Sequence, residues 1–237
     1  AEFTYTPVVS SSRPQNYAIV GYPLGMMKAN VRQTNDAGEF LIDDDGFYIE
    51  TTEPELVGDP NPDWTAGITN SISWNGLSLD FTWQYRHGGD MFSQDAATLV
   101  GRGVLNPGTV REGLYVLDGV NKNTGQTNTT QITAINYGFD IFSFGPGELQ
   151  IFDATTIRLS EVNLSYDFPR NLLERTPFGS LTATLTGINL FYDAVNVPDV
   201  VNFDSNVLST GVGNAMGLSF ITGPSSRRVG LTLKATF

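Results

Sequence analysis

The chain contains no cysteine and only one histidine among its 237 residues. Disulfide bonds and thiolate metal sites are therefore excluded, and His87 alone supplies neither a catalytic pair nor a histidine metal cluster. No apolar run approaches the length of about 18 residues that a membrane-spanning helix needs. These absences exclude a helical membrane protein and leave either a soluble fold or a membrane protein built from strands.

Basic residues are also few, 13 against 25 acidic ones, which gives a formal net charge of -12. The summed field repels nucleic acid and anionic lipid, so neither is expected as a general partner. The hydrophobic content of 40% is ordinary for a folded protein. Because no signal peptide is visible at Ala1, we expect the chain to be a fragment if the protein is exported.

The last nine residues alternate strictly between apolar and polar or small side chains. The apolar set is Val229, Leu231, Leu233, Ala235 and Phe237. A strand between lipid and a water-filled lumen has this period of two and places the apolar set against lipid. An edge strand of a soluble protein has the same period, so this pattern alone leaves both alternatives open.

Five strands are predicted, at 64–74, 77–87, 155–168, 180–192 and 227–237. The first two are joined by Asn75-Gly76, a dipeptide typical of a type I′ hairpin turn. The second strand alternates throughout, with a predicted lipid face formed by Leu77, Leu79, Phe81, Trp83 and Tyr85. Its opposite face, predicted to line the lumen, includes Asp80, Gln84 and Arg86. In the third and fourth strands the apolar parity changes midway, which predicts a β-bulge. The apolar set changes from Ile157 and Leu159 to Val162, Leu164, Tyr166 and Phe168 in the third strand, and from Leu181, Ala183 and Leu185 to Ile188, Leu190 and Tyr192 in the fourth.

Two tryptophans support a membrane setting. Trp64 and Trp74 have the same parity, and in a strand tilted by about 45° they differ in depth by roughly 23 Å. This depth is close to the lipid-facing band between the two aromatic girdles of an outer-membrane barrel. Both are therefore predicted to anchor the strand at the two membrane interfaces, although ordinary core aromatics remain the alternative.

The connections between the predicted strands alternate between short and long. Asn75-Gly76 and 169–179 are short, whereas 88–154 and 193–226 are far longer than ordinary loops. Outer-membrane barrels have short periplasmic turns and long extracellular loops, so the alternation favours a barrel. A soluble β-sandwich is the competing fold. Since five strands cannot close a barrel, other strands must complete it.

No catalytic group, cofactor site or metal site is predicted, and the chain is therefore not expected to be an enzyme. Asp43-Asp44-Asp45-Gly46 has the carboxylates of a calcium loop. Its flanks, 39–42 and 47–50, favour a small hairpin with an acidic turn instead. His87 lies beside Gly88-Gly89-Asp90 at a predicted strand end and is left without an assigned role.

Several ordered segments resemble the carboxyl-terminal barrel of SusC/RagA-type TonB-dependent transporters. They are Val20-Gly-Tyr-Pro-Leu-Gly25, Val57-Gly-Asp-Pro-Asn-Pro-Asp-Trp64, Gly67-Ile-Thr-Asn70, Asn75-Gly-Leu-Ser-Leu-Asp-Phe81, Gln84-Tyr-Arg-His-Gly-Gly-Asp90 with Met91-Phe-Ser93, Ile157-Arg-Leu-Ser-Glu-Val-Asn-Leu-Ser-Tyr-Asp-Phe-Pro169 and Gly187-Ile-Asn-Leu-Phe191. The resemblance covers roughly residues 18–237, and several matches in order are more specific than any single one.

The resemblance implies an all-β fold, the last strands of a large transmembrane antiparallel β-barrel with long extracellular loops. Residues 1–63 would be an extracellular loop region with a small hairpin, and 64–237 the last barrel strands. The barrel would close around an amino-terminal plug, in the outer membrane of a Gram-negative bacterium with a periplasmic carboxyl terminus. Asp80, Gln84 and Arg86 then become candidate contacts for substrate or plug, although solvated lining explains them equally well.

The implied function is TonB-dependent uptake of an oligosaccharide or peptide together with a SusD-like surface lipoprotein. The implied partners are the remaining barrel and plug, that lipoprotein, TonB and the barrel-assembly machinery. The machinery would read the last strand, from Val229 to Phe237, as an assembly signal. Two other classes remain as alternatives, a structural or adhesive barrel without transport and a soluble β-sandwich binding module.

Overall fold

The computed structural model describes residues 2–4, 13–104, 111–197, 204, 215–219 and 225–237, and strands dominate it. The strands are β1 Glu2–Thr4, β2 Gln15–Ile19, β3 Met26–Ala29, β4 Leu41–Ile42, β5 Glu55–Gly58, β6 Trp64–Trp74, β7 Leu77–His87, β8 Asp90–Ser93, β9 Leu114–Tyr115, β10 Val120–Asn121, β11 Ile132–Thr133, β12 Ile151–Asp153, β13 Thr156–Asp167, β14 Ser180–Asp193, β15 Leu218–Ser219 and β16 Arg228–Thr236. The helices are α1 Gln94–Gly101, α2 Ala134–Asn136 and α3 Arg170–Leu173, with a π-helix at Tyr137–Ser143 and a 3₁₀ helix at Gly147–Gln150. Within the described ranges, no helix is long and apolar enough to cross a membrane.

The five longest strands form one antiparallel sheet in the spatial order β6, β7, β13, β14, β16. Their bounds agree with the five predicted strands to within one residue at every end. In the part of the chain that the structure describes, no strand pairs with the outer edge of β6 or of β16. Both edges therefore remain open for pairing with further strands.

The β6–β7 turn forms as predicted. Asn75 and Gly76 both have positive φ, 48° and 85°, as the central residues of a type I′ turn require. The register then runs without interruption from Trp74 opposite Leu77 to Trp64 opposite His87. A two-residue turn thus fixes which residues of the two strands share a face.

The predicted bulge is confirmed, and it lies between Leu159 and Glu161 of β13. Ser160 is the extra residue against β7, and its hydroxyl donates to the carbonyl oxygen of Thr82 at 3.0 Å. In β14 the same irregularity includes Asn189, which has a φ of 53°. Asparagine tolerates this left-handed conformation better than most residues other than glycine.

The bulge also corrects one detail of the sequence interpretation. The parity change in the fourth predicted strand placed Ile188 and Tyr192 with the apolar set. The register instead places Ile188 opposite Arg228, and Tyr192 opposite Arg158, on the polar face. Phe191 lies on the apolar face in their place, because β14 keeps its odd-numbered residues on that face through the irregular stretch, and the parity changes only in β13.

Contacts divide the chain into two compact units. One is the five-stranded sheet, which comprises 64–87, 155–195 and 224–237. The other comprises 1–63, 88–154 and 196–223. The predicted loops 88–154 and 193–226 therefore contain ordered structure in their described parts, while 105–110, 198–203, 205–214 and 220–224 lie outside the described residues. That 64–237 forms one barrel domain stays a prediction.

The second unit contains small sheets and two apolar clusters. Its sheets are β1-β2-β3-β5, β12-β8-β15 and the pairs β10-β4 and β11-β9. One cluster is built on Met27, Phe92 and Leu218. The other is built on Ile42, Leu117, Ile132 and Ile141. These clusters give the segments between the strands a core of their own.

The acidic hairpin forms as predicted. Asp43 N–H donates to Phe47 O at 2.9 Å, and Ile42 bridges Tyr48 in the antiparallel sense. The Asp43 carboxylate accepts hydrogen bonds from the backbone N–H groups of Asp45 and Phe47, which holds the turn closed. A turn-forming role therefore accounts for this carboxylate.

Candidate functional site: a two-faced sheet

One face of the five-stranded sheet is apolar almost throughout. Opposite residues of an antiparallel pair point to the same side, so the register assigns each side chain to a face. The apolar face contains Trp64, Ala66, Ile68, Ile72, Trp74, Leu77, Leu79, Phe81, Trp83, Tyr85, Ile157, Leu159, Val162, Leu164, Tyr166, Ala183, Leu185, Phe191, Val229, Leu231, Leu233 and Ala235. Leu181, opposite Ala235, belongs to the same face. The polar exceptions are Asn70, opposite Phe81, and at one end of the sheet His87, opposite Trp64, and Asp193, opposite Ile157.

This apolar face is exposed rather than packed on a core. Ile68 is 63% exposed, Trp74 76% and Leu231 70%. Soluble proteins rarely expose a contiguous apolar surface of this extent, and such a surface marks contact with a membrane or another protein. The sheet of a β-sandwich would bury this face against a second sheet.

Aromatic side chains concentrate at the two ends of the apolar face. At one end the ring of Trp64 lies 5.0 Å from that of Tyr85 and 5.4 Å from that of His87. At the other end the ring of Phe178 lies 5.4 Å from that of Phe237. Aromatic residues at both ends of the strands fit girdles at two membrane interfaces, and Phe81 and Trp83 add further rings to the aliphatic side chains between them.

The opposite face is polar and cross-linked by side-chain hydrogen bonds between neighbouring strands. Hydroxyl pairs join β6 to β7, β13 to β14 and β14 to β16, at Ser73 with Ser78 (2.9 Å), Ser165 with Thr184 (2.9 Å) and Ser180 with Thr236 (2.7 Å). Thr186 donates to Asn163 Oδ1 at 2.7 Å, and Thr182 to Asp167 Oδ1 at 2.6 Å. These short polar side chains suit a wet surface and satisfy one another across the strands.

Arg158 lies on this polar face and is only 7% exposed. Its guanidinium carbon lies 4.9 Å from the centre of the Tyr192 ring, and Nη1 donates to Asn189 Oδ1 at 3.1 Å. Asn189, which has the left-handed backbone conformation at the bulge, therefore also positions Arg158. Sequence analysis missed Arg158, and the bulge signal in β13 was the only hint of special structure nearby.

The predicted site residues fall on two separate faces. Trp64, Trp74 and the odd-numbered residues Leu77 to Tyr85 share the apolar face with Val229, Leu231, Leu233 and Ala235. Asp80, Gln84 and Arg86 lie on the polar face, opposite Asn163, Arg158 and Thr156 of β13. That the apolar face meets lipid, that the polar face lines a lumen and that Val229 to Phe237 is an assembly signal all stay predictions.

All the long connections leave the sheet at one end. β6 begins, β7 ends, β13 begins, β14 ends and β16 begins at the end marked by Trp64 and His87. The opposite end holds only Asn75-Gly76, the connection with α3, and Phe237. The sheet is thus asymmetric, with short turns at one end and long segments at the other.

A carboxylate near the long connections has a perturbed pKa. Asp90, at the start of β8, accepts a hydrogen bond from Asp59 N–H at 2.9 Å. Burial raises the pKa of Asp90 above its ordinary value, and the charges of Asp153 and Asp59 raise it further, while that hydrogen bond opposes the shift. Among the described residues there is no group of three histidines or carboxylates that suits a metal ion.

No family model matches the chain. The chain is similar to TonB-dependent receptor P26 of Formosa agariphila, with 27% identity over 194 residues that cover 80% of this chain and 18% of that receptor. It is 24% identical over 212 residues to TonB-dependent receptor P3 of the same organism, covering 85% of this chain and 19% of that receptor. The chain therefore spans about one fifth of the length of these relatives.

Solved structures show the same fold. The chain matches a chain of the RagAB peptide transporter with a TM-score of 0.54 and 18% identity, covering 100% of this chain and 25% of that one. It matches the RagAB peptide importer in the "closed-closed" state with a TM-score of 0.55 and 18% identity, covering 99% and 25% of the two chains. The predicted fold class, strands of a large antiparallel β-barrel, is confirmed.

The resemblance to SusC/RagA-type TonB-dependent receptors is likewise confirmed, since the chain is similar in sequence to two TonB-dependent receptors and in fold to RagAB. These relatives are receptors and transporters rather than enzymes.

Proposed function

We propose that the chain forms the last strands of a SusC-like, TonB-dependent transporter that takes up an oligosaccharide or a peptide across the outer membrane. One observation carries the proposal: a five-stranded sheet exposes an apolar face on one side and a hydroxyl-rich face on the other. In a barrel wall the first face meets lipid and the second lines the lumen. The relatives named as TonB-dependent receptors support the transport role.

The open edges of β6 and β16 support a barrel completed by further strands of the same transporter. Each unpaired backbone group in hydrocarbon costs several kcal/mol, so an open sheet in a membrane is not stable. We propose that the remaining barrel strands and an amino-terminal plug come from other parts of the same transporter, and that TonB acts on its amino-terminal region.

The long connections support an assignment of direction. Outer-membrane barrels have long loops on the extracellular side and short turns on the periplasmic side. We therefore propose that the end with Trp64 and His87 faces the exterior and that Asn75-Gly76 and Phe237 face the periplasm. The segments 90–153 and 193–224 would then meet a SusD-like surface lipoprotein and line the entry of the substrate.

The transport role is tested in cells of the source bacterium that lack the gene for the full-length receptor. We expect growth on one oligosaccharide or peptide nutrient to be lost and to return when the receptor is restored. Restoration should fail in cells without TonB. If loss of the receptor leaves growth on every nutrient unchanged, a structural or adhesive barrel is favoured. Uptake that persists without TonB would favour the same alternative.

A further inference from the structure

A cavity of about 300 Å³ lies beside the carboxyl end of α1. It is lined by Val100, Gly101, Arg102, Gly103, Arg111, Ala134, Ile135, Tyr137 and Gly138. All these residues belong to one of the two compact units. The π-helix Tyr137–Ser143 supplies part of the wall, and π-helical turns occur frequently at functional sites.

Two glycines bring the walls of this cavity close together. A Cβ atom on Gly101 would lie 3.0 Å from Gly138 O, and one on Gly138 would lie 3.1 Å from Val100 O. Larger residues at either position would push α1 away from the π-helix. The short distance between the two helices therefore depends on glycine, and both glycines line the cavity.

Two arginines give the cavity its charge. The guanidinium carbon of Arg102 lies 5.5 Å from the centre of the Phe139 ring. Arg111 donates one N–H, through Nη2, to Gly103 O at 2.8 Å. No carboxylate among the described residues forms an ion pair with either side chain. Each guanidinium carries five N–H donors, so most of them remain for a ligand, in a chain whose net charge is -12.

A purely structural role explains these arginines only in part. Cations near the carboxyl end of a helix interact favourably with its dipole, and Arg111 binds a carbonyl just beyond α1. The same role extends to Arg102, which is the C-cap residue of α1 and whose guanidinium lies near the Phe139 ring. It occupies a single N–H of Arg111 and leaves the other donors of both side chains for a ligand.

Tyr137 adds a neutral aromatic group to the lining. Its ring stacks on that of Tyr115, with 4.9 Å between ring centres. A tyrosine hydroxyl is protonated at neutral pH even at its ordinary pKa, and burial, together with the neighbouring Tyr48 and Tyr115, raises the pKa of Tyr137 further. Tyr137 therefore brings no negative charge to the lining.

Two arginines favour a ligand with an anionic group, and the rest of the lining indicates which class of molecule carries that group. Sugar hydroxyls need hydrogen-bond acceptors as well as donors, and the only side-chain acceptor among the described lining residues is the Tyr137 hydroxyl, with no aspartate, glutamate, asparagine or glutamine. Val100, Ala134 and Ile135 offer apolar surface instead. The volume lies at the lower end of the range for ligand pockets, which suits the end of a chain rather than its length.

We propose that this cavity binds the carboxyl-terminal residue of a peptide, with Arg102 and Arg111 on the carboxylate and the apolar lining on the side chain. Paired guanidinium groups bind carboxylates through short, charge-assisted hydrogen bonds. The proposal rests on the proposed uptake function and narrows its substrate class from an oligosaccharide or peptide to a peptide with a free carboxyl terminus.

The test uses the purified full-length receptor and calorimetric titration with penta-alanine, once as the free acid and once as the carboxyl-terminal amide. We expect the acid to bind at least tenfold more tightly than the amide, since the amide lacks the charge that the arginines recognise. Replacing Arg102→Gln together with Arg111→Gln should abolish this difference. Arg175→Gln, an exposed arginine next to α3, is the matched control and should leave it unchanged.

A second pair of variants keeps the test independent of folding. Ile135 lines the cavity and is 74% exposed, so charged replacements there leave the core intact. Ile135→Asp should weaken binding of the acid and Ile135→Lys should strengthen it, with little change for the amide. Equal binding of acid and amide, equal effects of the two Ile135 variants, or tighter binding of trigalacturonate than of the acid would each overturn the proposal.

Failure of the site and failure of the uptake function give different results. If nutrient uptake requires the receptor and TonB but acid and amide bind equally, the transport function stands and this site does not. If the acid is preferred and the arginine variants abolish that preference, the site stands even when no TonB-dependent uptake is found.

Discussion

Ile68→Arg should distinguish a lipid-facing sheet from one in water. Ile68 lies on the apolar face of β6, opposite Trp83, and is 63% exposed. If Trp64 and Trp74 mark the two interfaces, Ile68 lies about 9 Å into a band of roughly 23 Å, close to the midplane. An arginine at that depth costs about 2 to 4 kcal/mol, which lowers the folding equilibrium constant roughly 30- to 700-fold. On a surface in water the same change costs about 0.5 kcal/mol or less.

Thr69→Arg is the matched control, since Thr69 is adjacent on β6 and points to the polar face. It loses a hydrogen bond between the hydroxyls of Thr69 and Thr82, 3.2 Å apart, and we expect a cost of about 1 kcal/mol. The assay is guanidinium unfolding of the full-length receptor in phosphatidylcholine vesicles, followed by tryptophan fluorescence. Equal midpoints for the Ile68 and Thr69 variants would refute the assignment of the apolar face to lipid.

Three further predictions concern assembly, pH and the long connections. Phe237 is 91% exposed. Phe237→Ala should strongly lower the amount of assembled receptor in outer-membrane fractions, while the receptor that does assemble keeps nearly the same thermal stability. Normal amounts of the variant would argue against an assembly signal. Because the pKa of Asp90 is raised in the fold, its ionisation costs stability as pH rises above the unfolded value of about 3.9, and acidification removes this cost. Asp90→Asn should therefore raise the melting temperature of the receptor at neutral pH, with the gain disappearing near pH 4, whereas a gain that is equal at both pH values would contradict this cause. Deleting residues 121–130 should reduce uptake, measured by growth, or association with the surface lipoprotein, measured by co-purification. Heat-modified gel mobility should show that the barrel still assembles. Unchanged uptake and association would contradict the proposed role of this segment.

The sheet could be predicted from the sequence because its physical cause is local. A strand between two media repeats every two residues, so Leu77 to Tyr85 show the face of β7 without any knowledge of its neighbours. Asn75-Gly76 fixes the hairpin for an equally local reason, the positive φ that both residues tolerate. The bulge was visible as a change of parity, but its register was not. Whether Ile188 or Phe191 lies on the apolar face depends on how β14 pairs with β13 and β16.

The structure of the long connections could not be predicted in the same way. Short pieces such as β8, β12 and β15 gain stability from distant partners, as where Phe92 pairs with both Ile151 and Leu218. No periodicity within four residues indicates such pairing. The arginine cavity was missed for a similar reason, since Arg102 and Arg111 line one cavity only because α1 and the π-helix pack closely at Gly101 and Gly138.

The most direct test of the central claim is a spin-label scan of β7 in the full-length receptor reconstituted in lipid vesicles. Single cysteines at positions 77 to 86, in a background without other cysteines, would each carry the label. The account predicts high accessibility to oxygen at the odd positions Leu77 to Tyr85, and higher accessibility to a water-soluble nickel complex at Asp80, Gln84 and Arg86. Uniform accessibility along the strand, or oxygen accessibility greatest at the even positions, would contradict a barrel wall with its apolar face toward lipid.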